Sequence, residues 1–256
     1  MKEFFFESKL LKSSGIAHRF FTRNGGFSTG IFSSLNLYGK KGDDTSRNKE
    51  VIAQSFGLKR GAIKTVDQVH ARNVITIDES NRDLDLSNLE ADGMVTNLPN
   101  VILGILTADC CPILFSDPGA KIIGGAHAGW RSALAGVVDA TIEAMEKLGA
   151  DRCNIKAAIG PAILWDSYEV DNSFENEFIQ QSESNSQFFK ASKNQGHYMF
   201  NLKGYVYKQL LNAGIMKIDN LELDTYAMED NFFSCRRAYH RGEGAFGNQM
   251  SAICLK

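Results

Sequence analysis

The chain has 256 residues, a formal net charge of -2 and 43% hydrophobic residues. This length fits one large domain or two modest ones, and the apolar content is sufficient for a substantial core. A nearly balanced charge, with a sequence pI of about 6.2, provides no electrostatic footprint for DNA or RNA. We therefore expect no nucleic-acid partner.

The N-terminal stretch MKEFFFESKLLKSS contains three consecutive phenylalanines, but charged residues interrupt it. It therefore lacks the features of a signal peptide, and no window approaches the roughly 20 apolar residues of a membrane span. The five cysteines are an odd number and are scattered apart from one adjacent pair, which does not suggest a disulfide framework. We expect a cytoplasmic protein with reduced thiols and no membrane partner.

The first predicted elements lie in the N-terminal third of the chain. Residues 15–39 predict a strand, a glycine turn and a loop. Asp43-Asp44-Thr45-Ser46 is an N-cap signal for a helix over residues 47–56, which ends at Gly57. Residues 62–77 predict two strands around a short turn near residues 71–73, with His70 at the end of the first strand.

Two apolar runs in the middle of the chain end in residues capable of chemistry. Val101–Leu106 stops at Thr107-Ala108-Asp109-Cys110-Cys111-Pro112, and Lys121–Ala126 stops at His127-Ala128-Gly129-Trp130-Arg131. Short apolar runs bounded by turn formers are typical of strands that are covered on both faces. We expect these two strands to be neighbours and to deliver a thiol and an imidazole to one edge of a sheet.

The C-terminal half alternates between helical and strand patterns. Apolar spacing predicts a helix over residues 132–148, so HAGWRS lies at a strand-to-helix turn, where free backbone N–H groups favour an anion such as phosphate. Further predictions are a strand at 155–159, helices within 166–190, a helix at 202–211 and strands at 218–225 and 249–255. We find no linker or fixed-period repeat, and predict one mixed α/β (α+β) domain over residues 1–256.

Three residues form a candidate metal set: His70, Cys110 and His127. Two imidazoles and one thiolate suit zinc, and three protein ligands leave the fourth tetrahedral position open for water. Their separations of 40 and 17 residues are unlike the close pairs of a zinc finger. The alternative is a partly buried cysteine beside two unrelated histidines that are satisfied by backbone carbonyls, and the residues alone leave both possibilities open.

The segments around these residues, DQVHARNV, TADCCPILF and GGAHAGWRSALAGVV, together resemble the YfiH family. Its members are described as multicopper polyphenol oxidoreductase or laccase-like proteins and as zinc purine nucleoside phosphorylases. RNGGFS, ADGMVTN, IGPAI and FFSCRR follow in the family's order, so the resemblance covers nearly the whole chain. It implies a layered fold with helices outside packed sheets, a zinc ion bound by His70, Cys110 and His127 as the catalytic centre, and a purine nucleoside as substrate.

The reactions implied by the resemblance are phosphorolysis and deamination. Adenosine, inosine, guanosine or methylthioadenosine would give the free base and ribose 1-phosphate, and adenosine would also be deaminated. Zinc lowers the pKa of bound water to about 7, which produces a nucleophile for C6 of adenine. Asp109 is a candidate catalytic proton shuttle, and the alternative role for its carboxylate is to orient a ligand imidazole.

Phosphorolysis also requires positive groups that hold phosphate. Arg23, Arg131 and Arg236 occupy motif positions, and the guanidinium fork suits a phosphate. The alternative for each is a structural salt bridge or a solvated charge. In the family the double arginine is closely followed by Thr-Gly-Arg, whereas here AYHRGEGA intervenes and the pair corresponding to Gly-Arg is Gly247-Asn248. Arg241 is therefore a candidate replacement for the last arginine of that motif.

The copper chemistry in the family's label is not expected here. A multicopper centre needs many histidines in a one-electron site and a trinuclear cluster, whereas this chain has five scattered histidines. Two rival functions remain: a metal-free cysteine hydrolase with Cys110 as nucleophile and His127 as base, and a factor that binds or edits peptidoglycan precursors.

Overall fold

The computed structural model describes residues 2–39 and 45–256. Asp43 and Asp44, which were predicted to cap the first helix, lie outside these residues. The strands are β1 (Phe5–Phe6), β2 (Ile16–Phe21), β3 (Ile63–Lys64), β4 (Val74–Ile77), β5 (Gly93–Thr96), β6 (Ile102–Thr107), β7 (Cys111–Asp117), β8 (Ile122–Ala128), β9 (Lys156–Ile159), β10 (Glu169–Asp171), β11 (Phe189–Ala191), β12 (His197–Phe200), β13 (Lys217–Asn220) and β14 (Gln249–Leu255). The helices are α1 (Ser46–Ser55), α2 (Trp130–Ala135), α3 (Val137–Lys147), α4 (Asn172–Gln181), α5 (Leu202–Asn212) and α6 (Cys235–His240). None of the described helices has the length and apolar composition that crossing a bilayer requires.

The described strands form two large sheets and a small one. The first has five strands in the order β1-β2-β14-β6-β3, and the second has six in the order β13-β9-β7-β8-β5-β4. The third is β10-β12-β11.

The two large sheets pack face to face because their strands carry apolar residues on both faces. In β6, Leu103 and Ile105 point into a core that also contains Leu114 of β7. Ile102, which precedes Leu103, belongs to a second core, which it shares with Ile52 of α1. Side chains alternate between the two faces of a strand, so one apolar run serves both cores.

A third core covers the outer face of the six-stranded sheet. Phe115 of β7 packs there with Ile142 of α3 and Val206 of α5. Phe178 of α4 and Phe200 of the small sheet belong to the same core. The order of layers is therefore helix, sheet, sheet, helix. This confirms the predicted mixed α/β fold with helices outside packed sheets.

The prediction that the apolar runs Val101–Leu106 and Lys121–Ala126 form neighbouring strands is wrong. β6 belongs to the five-stranded sheet and β8 to the six-stranded one. The neighbour of β8 is β7, in which Pro112 lies opposite His127, and residues 108–110 link the two sheets. A strand that is apolar on both faces has no polar alternation from which its sheet could be identified. In addition, Pro112 was interpreted as the end of a strand, although proline is tolerated near the start of one.

Other boundaries also differ from the predictions. The helix expected over 132–148 is two helices, because Gly136 adopts a left-handed conformation with φ of 90°. Glycine reaches this conformation at no steric cost. The strand predicted over 62–70 is limited to β3, and the one predicted over 218–225 is limited to β13. His70 therefore lies on a loop rather than at a strand end.

Candidate metal centre

Cys110 lies on the link between the two large sheets. It is half-buried, whereas the adjacent Cys111 begins β7 and is fully buried in the outer core. The preceding residue, Asp109, has a positive φ of 86°, so the chain turns sharply here. The turn offers the Cys110 thiol to the site and leaves the Cys111 thiol in the core.

The backbone around His70 is held by one buried carboxylate, that of Asp92. The Oδ1 atom of Asp92 accepts from the N–H of His70 at 3.0 Å. Its Oδ2 atom accepts from the N–H of Val69 at 3.2 Å and of Ala71 at 2.6 Å. His70 itself has a φ of 61°, which is uncommon for a side-chain-bearing residue. The carboxylate thus stabilises the loop that presents the imidazole.

The same carboxylate orients the second imidazole. His127 comes from β8, is 3% exposed, and places its Nδ1 atom 2.7 Å from Oδ1 of Asp92. Since Nδ1–H donates to the carboxylate, Nε2 is left as the ligand atom. Sequence reasoning missed this role of Asp92. The available signal was an aspartate directly before the apolar segment GMV of the ADGMVTN motif.

The three candidate ligands converge. One donor atom from each of His70, Cys110 and His127 lies within 4.8 Å of the others. The sulfur of Cys110 is 3.7 Å from Nε2 of His70. Zinc bonds of about 2.0–2.3 Å in a tetrahedron place ligand atoms roughly 3.3–3.8 Å apart, so the spacing suits zinc with little adjustment.

Gly129 makes this close approach possible. A Cβ atom at this position would lie 2.5 Å from Cδ2 of His70 and 3.1 Å from Sγ of Cys110. No side chain fits there without displacing a ligand. The glycine of the HAGWR motif is therefore a packing requirement of the site, a role that sequence reasoning did not assign.

Burial favours the uncharged forms of His70 and Cys110 in the absence of a metal. Burial, followed by the charge of His127, lowers the pKa of His70, so its imidazole is held in the neutral form that binds metals. Burial and then the charge of Asp109 raise the pKa of the Cys110 thiol. Coordination to a divalent ion deprotonates such a thiol. The donor types, their spacing and the carboxylate behind His127 together fit a zinc ion.

Two cavities meet at Cys110. The larger, of about 610 Å³, is lined by residues that include Trp130, Tyr168 and Arg236. The smaller, of about 280 Å³, contains His70 and His127 in its wall. Residues Ala108, Cys110 and Cys235 line both cavities. The two chambers are therefore adjacent, and Cys110 lies in the wall that they share.

Asp109 lines the larger chamber, and three donors hold its carboxylate. They are the hydroxyls of Thr225 at 2.7 Å and Ser234 at 2.9 Å and the backbone N–H of Arg236 at 2.6 Å. Burial raises the pKa of this carboxyl, although the hydrogen bonds oppose the shift. The carboxylate that touches a candidate ligand imidazole is that of Asp92. The proton-shuttle role of Asp109 stays a prediction.

The three candidate phosphate-binding arginines lie in different environments. Arg236 lines the larger chamber, and its Nη1 donates to the carbonyl of Glu169 at 2.6 Å. Arg131 stacks on Trp130 at 4.1 Å, and its charge contributes to lowering the pKa of His70. Arg23 lines a separate cavity of about 260 Å³ and donates to backbone carbonyls, including that of Ser33 at 2.8 Å. The structure brings Arg236 into the site and leaves Arg23 outside both chambers.

The candidate replacement Arg241 pairs with Glu229 at 2.6 Å and lines the same separate cavity as Arg23.

Comparisons with known proteins identify similar sequences and similar folds. A purine nucleoside phosphorylase of Rickettsia conorii is 38% identical over 209 residues, which cover 82% of this chain and 84% of that protein. The crystal structure of Neisseria meningitidis protein NMB0706 matches with a TM-score of 0.87 at 29% identity, covering 99% of this chain and 100% of that one. The Bacillus licheniformis hypothetical protein YfiH matches with a TM-score of 0.85 at 29% identity, covering 94% and 93%.

The model of one protein family, described as multi-copper polyphenol oxidoreductase laccase, matches residues 17–256. This match spans nearly the whole chain and includes every candidate metal ligand. The chain therefore belongs to this laccase-like family, as the YfiH motifs predicted.

Proposed function

We propose that this protein is a cytoplasmic zinc-dependent purine nucleoside phosphorylase that also deaminates adenosine. The observation that carries the proposal is the convergence of His70, Cys110 and His127 at the junction of two chambers. Three protein ligands leave one position of a tetrahedral zinc ion open, which is the arrangement of catalytic rather than structural sites. The name of the Rickettsia conorii relative supports the choice of reaction.

In phosphorolysis, a phosphate oxygen forms a bond to C1′ of the ribose while the C1′–N9 bond breaks. The base leaves with the electron pair of that bond and takes up a proton. Arg236 is the group proposed to hold phosphate, because it lines the larger chamber and is anchored through the carbonyl of Glu169. Arg131, whose charge reaches His70, is proposed to add positive potential nearby.

In deamination, water adds at C6 of adenosine and ammonia leaves, which gives inosine. When bound, zinc supplies Lewis-acid chemistry and activates water. Asp92 keeps His127 in the tautomer that presents Nε2 and fixes the loop of His70. Asp109 is proposed to move the proton, because burial raises its pKa and so favours the form that can donate.

A metal-free cysteine hydrolase fits the site less well. Such an enzyme needs a thiolate, and burial together with Asp109 raises the pKa of Cys110 instead of lowering it. Nδ1 of His127, the candidate base, lies 2.7 Å from the buried carboxylate of Asp92, and such a carboxylate contact is typical of histidines that bind a metal through the other ring nitrogen. A divalent cation resolves the conflict, since it stabilises the thiolate.

The test is a reaction of zinc-loaded protein with adenosine or inosine, with and without phosphate, followed by chromatography. We expect adenine and hypoxanthine only with phosphate, and inosine from adenosine in its absence. Arg236→Gln should raise the KM for phosphate by about tenfold or more, since a charge-assisted hydrogen bond is lost. Arg152→Gln is the control, because Arg152 pairs with Glu146 elsewhere. Absence of all products would remove the proposal.

A further inference from the structure

Two aromatic side chains in the wall of the larger chamber carry polar groups that are free to bind a ligand. They are Trp130, with its indole Nε1–H, and Tyr168, with its phenol hydroxyl. Both polar atoms are accessible to solvent, and neither has a hydrogen-bond partner among the described residues. Trp165 provides a contrast, because its Nε1–H donates to the carbonyl of Met199 at 3.0 Å. Partly buried tryptophan and tyrosine side chains usually place the polar group on a partner, so the two open groups require an explanation.

The two rings are neighbours because both pack on Phe174 of α4. The ring centroids of Trp130 and Phe174 are 4.7 Å apart, and those of Tyr168 and Phe174 are 6.0 Å apart. All three rings pack against the outer core. Arg236 completes the group, since its Cζ atom lies 5.1 Å from the centroid of the Tyr168 ring. The apolar parts of these rings are therefore fixed, and one wall of the chamber presents the indole, the phenol and the guanidinium together.

All three groups can donate hydrogen bonds. The indole N–H and the guanidinium have no acceptor atom. Burial raises the pKa of Tyr168, so its phenol stays protonated and able to donate. Nη1 of Arg236 donates to the carbonyl of Glu169 at 2.6 Å, and the guanidinium forms no ion pair with a carboxylate of the described residues. Three neighbouring donors, one of which is charged, match an oxyanion such as phosphate.

The carboxylates that line the same chamber already accept hydrogen bonds. Asp109 has three donors, as described above. Both oxygens of Glu169 accept from the side-chain amide of Asn194 at 3.0 Å, and Asp171 caps α4 by accepting from the N–H of Phe174 at 2.9 Å. Burial also raises the pKa of Asp109 and so favours its neutral form. These acceptors are held by the protein itself, whereas the donors of the aromatic wall are left for a ligand.

We propose that Trp130 and Tyr168 bind phosphate together with Arg236, so that the oxyanion accepts from the indole N–H, the phenol O–H and the guanidinium. The inference rests on the proposed function and adds two neutral donors to its phosphate site. A neutral donor that bonds to a charged acceptor contributes more to binding than one that bonds to a neutral acceptor. Both residues are therefore expected to determine the affinity for phosphate.

The indole of Trp130 offers a direct readout by nuclear magnetic resonance. The chain has two tryptophans, so the ¹⁵N-labelled, zinc-loaded protein should show two indole N–H signals, which Trp165→Phe assigns. Inorganic phosphate should shift the Trp130 signal in a saturable manner. It should leave the signal of Trp165 in place, because that N–H already donates to a carbonyl. A Trp130 signal that moves with adenosine but not with phosphate, or with neither, would overturn the inference.

Tyr168→Phe removes only the hydroxyl. It should raise the Kd for phosphate, measured by calorimetry, and the KM for phosphate by about fivefold or more, because a hydrogen bond to a charged group is lost. Tyr198→Phe is the matched control, since the hydroxyl of Tyr198 bonds to Glu175 and the residue lies outside the chamber. It should keep the wild-type values.

The outcomes separate this inference from the proposed function. Phosphorolysis with wild-type phosphate affinity in Tyr168→Phe would overturn the inference and leave the proposed function standing. A saturable shift of the Trp130 signal and weakened phosphate binding in Tyr168→Phe, without phosphorolysis by the wild type, would instead overturn the proposed function and uphold the phosphate site.

Discussion

Replacing Asp92 with asparagine is the sharpest test of how the site is built. Oδ1 of Asp92 accepts from the His70 N–H and lies 2.7 Å from Nδ1 of His127, while Oδ2 accepts from the N–H groups of Val69 and Ala71. An asparagine has one acceptor oxygen and one NH2 group. Whichever way its amide is turned, the NH2 group faces two donors.

The magnitude follows from this count. Leaving a buried donor unsatisfied costs about 1–3 kcal/mol, so two of them lower the free energy of unfolding by about 2–6 kcal/mol. Loss of the carboxylate behind a ligand histidine lowers metal affinity by about 10–100-fold. Asp92→Asn should therefore be less stable without metal and should also bind zinc more weakly.

Urea unfolding of the metal-free protein measures the first effect, and competition with a chromophoric zinc chelator measures the second. Asp117→Asn is a matched control. Asp117 is 1% exposed and lies at the far end of β7. It accepts from the backbone N–H groups of Gly119, Ala120 and Asp151 at 2.9–3.1 Å. The Asp117→Asn variant should lose about as much unfolding free energy as Asp92→Asn but keep the zinc affinity of the wild type. If Asp92→Asn also bound zinc like the wild type, the reasoning about the carboxylate would be refuted.

Two further changes probe the close packing and the pH dependence. Gly129→Ala should weaken zinc binding by about tenfold or more, because its Cβ would collide with His70; Gly61→Ala, which has open space around it, should have no effect in the same chelator competition. His18 is buried, and burial lowers its pKa from 6.5, while its Nε2 accepts from the N–H of Ser8 at 2.9 Å. As the pH falls, His18 therefore becomes protonated in the unfolded chain before it does so in the folded protein. The stability that is present above pH 6.5 is lost as the pH falls through the lower folded pKa. The unfolding free energy of His18→Gln should decline less between pH 7 and 5 than that of the wild type, and parallel pH profiles would contradict this assignment.

Much of the secondary structure could be predicted because its signals are local. The apolar run that became β6 and the helical spacing of α1 are properties of a few neighbouring residues. The sheet to which a strand belongs, in contrast, is not determined by local sequence signals. Both faces of β6 and β8 are buried, so neither run carries the polar alternation that would show which layer it belongs to.

The candidate ligands could be identified from the sequence because thiols and imidazoles are few and their motifs resemble a known family. The supporting residues could not. Asp92 lies 22 residues from His70 and 35 from His127, and no sequence pattern reveals that one carboxylate contacts both. Gly129 matters because it has no side chain, and this becomes clear only when the distances from its position to His70 and Cys110 are known.

Metal content, measured by mass spectrometry on purified protein, tests the central claim most directly when the adjacent cysteines are compared. Cys110 faces the site and Cys111 lies fully buried in the core. Alanine at each position therefore removes one of two adjacent thiols, of which only Cys110 is a candidate metal ligand. We predict about one zinc ion per chain in the wild type and in Cys111→Ala, and little or none in Cys110→Ala. Equal zinc in all three proteins, or no zinc in any of them after purification with added metal, would contradict the account.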